Sequence, residues 1–303
     1  MREAHRVFFI AAAALLLCIT AGYPDVMTAA NAVLRQPVSA RPLAVADAFT
    51  GLTDDINSIS YNPAGLARMS SHEFAAMYSE NSSEHVNYGF VGCAFHFSDS
   101  FNVGISGNLR NNGQSNSVYT LSYGLKVIEK KDVGVTTMGF NIRYLEGSLD
   151  STDTIYSYVG DVGLLSTLYL ADKPVGIGLC LQNLGGEVLH TNGDTEAENL
   201  PVSARAGIAY TFGPDIDVRP INLSADITYI EEEQDPRYSI GAEYWFSGGI
   251  ALRLGYKLNY ENSAESLTAG LGFKYGTVRF DCAMVALDSV VGYEPKISFI
   301  ANF

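Results

Sequence analysis

The chain has 303 residues, with 19 lysines and arginines against 33 aspartates and glutamates, and a formal net charge of −14. So acidic a chain lacks the basic face that DNA or RNA requires, which argues against nucleic acid as a partner. Only 17% of the residues are charged while 11% are aromatic, and no apolar run after residue 21 is long enough for a spanning helix. In an exported chain, this combination would favour an outer-membrane barrel.

Residues 1–21 have the pattern of a secretory signal. Arg2 and Arg6 precede an apolar run over residues 7–17, and residues 19–21 offer a small-residue cleavage site. The apolar run is shorter than the roughly 20 residues that a membrane-spanning helix needs. We therefore expect residues 1–21 to be a cleaved signal peptide, which predicts an exported protein of the bacterial cell outer membrane.

Residues 22–70 show no strand pattern and are predicted to form a plug. The alanine-rich stretch from Tyr23 to Phe49 predicts partial helix, interrupted at Pro37 and Pro42 because the residue before a proline avoids helical geometry. A polar connection over 54–63 then ends in an Asn-Pro turn. Since this segment is neither signal nor strand, it is the natural candidate for something held inside a barrel.

Several motifs follow one another within residues 39–66. They are the small-residue run Ala44 to Gly51, the acidic pair Asp54 and Asp55, the aromatic Tyr61, and the motif Asn62, Pro63, Ala64, Gly65 and Leu66. In this order, ahead of an all-β chain, they resemble the N-terminal region of the FadL-type outer-membrane family of long-chain fatty-acid transporters, including the branch that contains PorV. The chain departs from the family pattern at Arg41 and Pro42.

The resemblance implies a plugged barrel that transports small hydrophobic or amphipathic molecules, such as long-chain fatty acids. The alternative that it implies is a PorV-like barrel that binds or shuttles protein cargo in a secretion system. A structural or surface role is a third interpretation. The motif Asn62, Pro63, Ala64 and Gly65 would anchor the plug, because proline fixes φ and lacks a donor while the asparagine side chain can cap free backbone groups.

From His72 onward the sequence alternates with period two. In the clearest stretch, Ile250 to Tyr260, apolar side chains alternate with polar or very small ones. Most of these stretches are at least as long as the roughly 9–11 residues that cross a bilayer. We predict strands over 72–79, 85–97, 101–110, 117–128, 132–146, 155–170, 174–184, 201–212, 220–231, 236–246, 250–260, 265–275, 276–287 and 292–303, with longer polar loops at 111–116 and 185–200.

The fold prediction is therefore all-β: an antiparallel transmembrane β-barrel of about 14 strands over residues 71–303, with a short, partly helical N-terminal plug at 22–70. The chain ends in a strand where Ile297, Phe299, Ala301 and Phe303 alternate with other residues. This pattern resembles the signal read by the barrel-assembly machinery, with Phe303 as its final residue; the alternative is an ordinary edge strand. We expect a monomer surrounded by outer-membrane lipid.

Charged residues on the face opposite the apolar stripe point toward the lumen. The basic ones are Arg205, Arg253, Lys257, Lys274 and Arg279. In one interpretation they pair with the acidic residues of the same face, Asp226, Glu243 and Asp281, or with the plug. In the other they bind the head group of an amphipathic ligand. The sequence leaves both open.

Enzyme motifs find little support in the sequence. Neither a Gly-x-Ser-x-Gly elbow, nor a His-Glu-x-x-His pair, nor a phosphate-binding glycine loop occurs. Cys93, Cys180 and Cys282, an odd number after removal of the signal, lack metal-binding spacing. We therefore expect no catalytic residue, no metal and no cofactor.

Overall fold

The structure is a computed structural model that describes residues 34, 36–81, 85–113, 115–130, 133–148, 154–170, 173–190, 198–212, 221–233, 235–260, 263–286 and 295–303. The predicted signal and the first part of the predicted plug, through residue 33, lie outside the described residues. Within the described ranges, no helix is long and apolar enough to cross a membrane.

Fourteen strands of the described chain form one closed antiparallel barrel, as the sequence predicted. Strands β1 to β7 pair in chain order, β7 pairs with β10, and β10 to β16 pair in chain order. The strands are Glu73–Asn81 (β1), Val86–Ser98 (β2), Phe101–Asn111 (β3), Ser115–Lys130 (β4), Gly134–Ser148 (β5), Thr154–Leu170 (β6), Lys173–Leu184 (β7), Glu187–His190 (β8), Glu198–Asn199 (β9), Ser203–Phe212 (β10), Ile221–Ile230 (β11), Arg237–Trp245 (β12), Ile250–Tyr260 (β13), Ser263–Tyr275 (β14), Val278–Ala286 (β15) and Lys296–Asn302 (β16).

The barrel closes where the last strand pairs with the first. Glu73 of β1 is opposite Asn302 of β16, and the ladder continues to Ser79 and Lys296. A closed barrel leaves no unpaired strand edge, which is the condition for a sheet to exist in lipid. We call the end where β1 begins and β16 finishes the turn end, and the opposite end the loop end.

The two faces of the wall follow the predicted alternation. On β13, Leu252 and Leu254 are about half exposed, whereas Ala251 and Arg253, which alternate with them, are fully buried. Exposed large apolar residues recur on the same outer face of the other strands, including Leu271, Phe273 and Phe280. This outer face is the apolar band that meets lipid in a membrane barrel.

A short hairpin, β8 and β9, forms part of the segment 185–200 that the sequence predicted to be a polar loop. Strand β8 pairs with the start of β6, with His190 opposite Ile155, and β9 pairs with β8. Positive φ angles of 63° at Asn183 and 74° at Gly185 bend the chain between β7 and β8. The prediction was wrong here because the segment as a whole is acidic and was therefore assigned to the surface. Val188 within it is 1% exposed and packs into an apolar cluster of the lumen.

The described part of the plug contains two single-turn helices, Ala40–Ala44 (α1) and Ser58–Tyr61 (α2), and a 3₁₀ helix, Pro63–Arg68. Pro42 lies inside α1, so the prediction that it interrupts the helix was wrong. A proline in the first turn costs little, because the backbone N–H groups there have no partner within the helix.

The hydrophobic core lies between the plug and the wall. Plug residues Phe49, Ile56 and Leu66 are fully buried, and they share one cluster with wall residues such as Phe90 and Ile300. The plug thus fills the space that the side chains of the strands leave open in the lumen.

Candidate functional site

A belt of inward-facing glycines brings the plug and the wall into backbone contact. A side chain at any of these positions would collide with plug atoms, which is the usual reason for glycine where another backbone approaches a strand. The glycine belt consists of Gly104, Gly124, Gly139, Gly163, Gly176, Gly178, Gly207, Gly241, Gly255 and Gly270.

The approach is very close where the belt meets the Asn-Pro motif. A Cβ at Gly139 would lie 2.1 Å from the carbonyl carbon of Pro63, and a Cβ at Gly163 would lie 2.1 Å from Oδ1 of Asn62. Gly139 and Gly163 are directly opposite each other on β5 and β6. Two neighbouring strands thus form a smooth surface on which the motif rests.

Each residue of the motif has a structural role. The fully buried Asn62 accepts a hydrogen bond from the Ala64 N–H at 3.2 Å and donates from Nδ2 to the carbonyl oxygens of Thr50 at 3.2 Å and Leu164 at 3.1 Å. Pro63 opens the 3₁₀ helix, where its missing donor is not needed. Gly65 packs against Thr53, with no room for a Cβ. The contacts tie the plug to itself and to the wall; their effect on permeability stays a prediction.

Polar side chains of β3, β5 and β7 hold the same part of the plug. Asn102 donates to the carbonyl oxygen of Leu66 at 2.7 Å, and Thr137 donates to that of Ala64 at 2.8 Å. Asn141 and Gln182 reach the carbonyl oxygens of Ile59 and Ser60 at 2.8 and 2.9 Å. These bonds satisfy carbonyl groups that short helices leave free.

On the other side of the barrel the plug is held by charge. Six side chains of alternating sign, all of them buried except the partly exposed Arg279, form a closed ring of ion pairs, the charge ring: Arg41, Glu243, Arg253, Asp281, Arg279 and Asp55. Arg41 and Asp55 belong to the plug, and the other four belong to β12, β13 and β15. Three positive and three negative groups balance each other, which buried charges require.

The pairs of the charge ring have hydrogen-bond geometry. Nε of Arg41 and Nε of Arg253 both contact Oε2 of Glu243, at 2.9 and 2.6 Å. Arg279 bridges Asp281 and Asp55, at 2.7 Å to each. Burial by itself would raise the pKa of Asp55, but the charges of Arg279 and Arg41 hold it below its usual value. Asp55 is therefore an anion at neutral pH.

Asp47 is a second charged anchor, on the loop-end side of the plug. The Lys257 ammonium and the Tyr61 hydroxyl donate to its carboxylate, and Nη2 of Arg205 donates to its carbonyl oxygen at 2.8 Å. Burial would raise the pKa of Asp47, but Lys257 and the Tyr61 hydroxyl hold it below its usual value. Ala46 and Asp47 have positive φ angles of 58° and 61°, a conformation that non-glycine residues adopt only when their surroundings hold it.

The five basic residues selected from the sequence lie in different places. Arg253 and Arg279 are in the charge ring, and Lys257 contacts Asp47. Lys274 is exposed near the turn end, opposite Arg279 in register. Arg205 lines the cavity described next. Lys257, Arg279 and Arg205 thus contact the plug, through Asp47 and Asp55. Arg253 pairs with Glu243 and Asp281 of the wall, and Arg205 also pairs with the wall residue Asp226 at 3.4 Å. Contact of any of the five with a ligand stays a prediction.

A cavity of about 90 Å³ lies in the lumen, on the side of the plug that faces the loop end. Its floor includes Asp47 and Tyr61, and its walls come from residues at the loop ends of the strands, such as the last residue of β13, Tyr260. Three arginines line it: Arg143, Arg205 and Arg237. Arg143 and Arg237 were not among the residues predicted from the sequence, although the alternation of inward and outward positions along β5 and β12 places both in the lumen.

The cavity combines polar atoms without partners and an apolar patch. Nε of Arg143, Nε of Arg205 and Oδ1 of Asn183 are buried and make no hydrogen bond within the described chain. Val118 lines the cavity and belongs to an apolar cluster of the lumen with Leu145, Ile155, Val159, Val188 and Leu200. Nη2 of Arg143 is paired with Asp161 at 2.6 Å. The site can thus accept one small polar group beside an apolar surface.

The described residues contain no group of three or more His, Cys, Asp or Glu side chains that could hold a metal ion. Cys93, Cys180 and Cys282 are free thiols.

Comparison with solved structures shows what the architecture is similar to. The monoaromatic hydrocarbon channel CymD matches with a TM-score of 0.60 and 13% identity, over 88% of this chain and 97% of CymD. A FadL homologue from Pseudomonas aeruginosa matches with a TM-score of 0.55 and 10% identity, over 88% of this chain and 98% of the homologue. This chain has the FadL-type fold. The toluene transporter TodX from Pseudomonas putida matches with a TM-score of 0.53 and 12% identity, over 86% and 96% of the two chains.

The alignment covers nearly the whole length of these neighbours. At these identities the likeness shows the fold alone. No family model and no curated protein matches the sequence. The plug and the cavity of this chain are therefore the features that point to its function.

Proposed function

We propose that the protein transports small hydrophobic or amphipathic molecules across the bacterial outer membrane, and that amphiphiles with an acidic head group, such as long-chain fatty acids, bind above the plug. The FadL-type fold and the channels that share it support the general role. The lumen cavity is the observation that supports an acidic head group. Arg143 and Arg205 line this cavity, and the Nε of each is buried and makes no hydrogen bond to any residue that the structure describes.

The cavity is large enough for a head group and too small for a long chain. A carboxylate beside Arg205 would accept charge-assisted hydrogen bonds, each worth about 1.5–3 kcal/mol. The tail would lie against the apolar cluster around Val118 and Leu145, where each buried methylene contributes about 0.8 kcal/mol. Binding should therefore depend on head-group charge and on chain length.

Calorimetric titration of matched long-chain acids and alcohols into the purified barrel tests this proposal. We expect the acids to bind more tightly, and Arg205→Gln to remove the preference by a factor of roughly 10 to 150, which corresponds to about 1.5–3 kcal/mol. Lys274→Gln is the matched control, because Lys274 is exposed near the turn end. Equal affinity for acids and alcohols would refute the acidic head group, and binding of neither would refute the ligand role.

The alternative is a PorV-like barrel that binds protein cargo. The observation that favours it is the tight seal of the plug, where the backbone at Pro63 contacts the backbone of the wall at Gly139. Transport through the lumen needs this contact to open, whereas a cargo carrier can keep it closed. Failure of both acids and alcohols to bind, together with a plug that never opens, would favour the cargo role.

Export and a monomeric barrel are parts of the same proposal. Mass spectrometry of the protein purified from outer membranes should find a mature chain that lacks residues 1–21. A mature chain that retains them would contradict the signal assignment.

A further inference from the structure

A groove of about 620 Å³ lies on the outer face of the wall, across β2 to β6. Its floor includes Gly107 and Cys93, and its sides include Ile142, Tyr119 and Tyr158. Ile142 and the two tyrosines are more than half exposed. The groove therefore opens into the lipid-facing band and away from the lumen.

The groove exists because one outward position has no side chain. Gly107 is opposite Val91 on β2 and Tyr119 on β4, so large neighbours surround a gap. The ring of Tyr144 connects the tyrosines into a row, with centroids 6.4 Å from Tyr119 and 5.1 Å from Tyr158. This row borders the groove on the side of the loop end.

The lining chemistry indicates the occupant. The ladders from β2 to β6 are continuous through these positions, so their backbone groups are already paired. A protein partner typically forms about one hydrogen bond per 100–200 Å² of interface, and the groove floor offers none. An acyl chain needs no hydrogen bond, and lipid is the medium that surrounds this face.

The position of the tyrosine row fits the head of such a lipid. Each tyrosine of the row lies four residues from the loop end of its strand. These distances are counted from Ser115 to Tyr119 on β4, from Ser148 to Tyr144 on β5, and from Thr154 to Tyr158 on β6. Tyrosines in barrels stand at the membrane interface, where the ring is apolar and the hydroxyl is wet. Longer loops mark the extracellular end of a barrel.

We propose that the groove binds one acyl chain of an outer-leaflet lipid, with the tyrosine row at the level of its head group. This site lies on the outer wall and is separate from the lumen cavity of the proposed function. Bound lipid fills the gap over Gly107 and Cys93.

Photolabelling tests the proposal on the full chain reconstituted in vesicles. The probe is a phosphatidylethanolamine that carries a diazirine on its acyl chain, and mass spectrometry maps the labelled residues. We expect labels to concentrate on the groove residues. Gly107→Trp should reduce that labelling to the level of the opposite wall, whereas Ala225→Trp, a small outward position of β11, should leave it unchanged.

Three results would overturn the proposal. Labels spread evenly over the exposed residues of both walls would mean that the groove holds no particular chain. Labelling unaffected by Gly107→Trp, and by Cys93→Phe as a second filling variant, would place the lipid elsewhere. Efficient linkage of two chains through Cys93 by a short bismaleimide, in a Cys282→Ser background, would assign the groove to a second copy of the protein.

Discussion

Gly139→Ala should open the plug without unfolding the barrel. The new Cβ would lie 2.1 Å from the Pro63 carbonyl carbon, so the plug must retreat by about 1.4 Å to reach the roughly 3.5 Å of a carbon–carbon contact. That movement breaks the hydrogen bond from Thr137 to Ala64 and that from Asn62 to Leu164. Each is worth about 1 kcal/mol, and the overpacking adds about 1–3 kcal/mol.

The total of about 3–5 kcal/mol should raise the open population of the plug at least about a hundredfold. Hydrogen exchange of peptides from residues 56–69 measures this population, and a difference in gel migration between unheated and heated protein shows that the barrel is intact. Gly107→Ala is the control, because its Cβ would be 3.7 Å from the Tyr119 ring on the lipid side. If plug protection in Gly139→Ala equals that of the unmodified protein, the glycine belt does not hold the plug.

Glu243→Gln should destabilise plug docking by about 3–5 kcal/mol, because it leaves the buried Arg253 without one of its counterions; exchange of residues 40–55 measures the loss. Lowering the pH should leave the plug docked down to about pH 4 and release it below, because Asp47 and Asp55 have lowered pKa values and their contribution is lost as the pH falls through those values. Deleting Phe303 should reduce insertion into the membrane much more than the stability of the refolded barrel, because its backbone N–H makes one hydrogen bond, to His72 at 3.0 Å.

Each of these predictions has a control. Lys274→Gln removes an exposed charge outside the charge ring and should not change exchange of the plug. The chain's single tryptophan, Trp245, lies under the Arg253 guanidinium, 5.5 Å from ring centroid to Cζ, so its fluorescence reports the acid transition. A fluorescence change centred above about pH 5 would contradict the assignment to carboxyl groups with lowered pKa values. Normal surface levels of the chain without Phe303 would refute its role in assembly.

The sequence by itself determined the barrel wall. Alternation of side chains with period two is a local property of each strand, and the inner face can be recognised by residues as different as Arg253, Gly255 and Lys257. Strand number and facing could therefore be predicted without contacts. The Asn62 motif could be recognised for a related reason, since capping of a short helix involves neighbours in the chain.

Only the tertiary structure decided what the inward residues do. The charge ring joins Arg41 to Glu243, 202 positions away, and local patterns carry no information about which distant charges meet. The same holds for the glycines: the alternation showed small inward residues, but their purpose depends on where the plug backbone lies. It also holds for Arg205, which lines the cavity while Arg253 is sealed beneath the plug. Both side chains point inward from their strands. Their surroundings differ because of the position of the folded plug along the barrel axis.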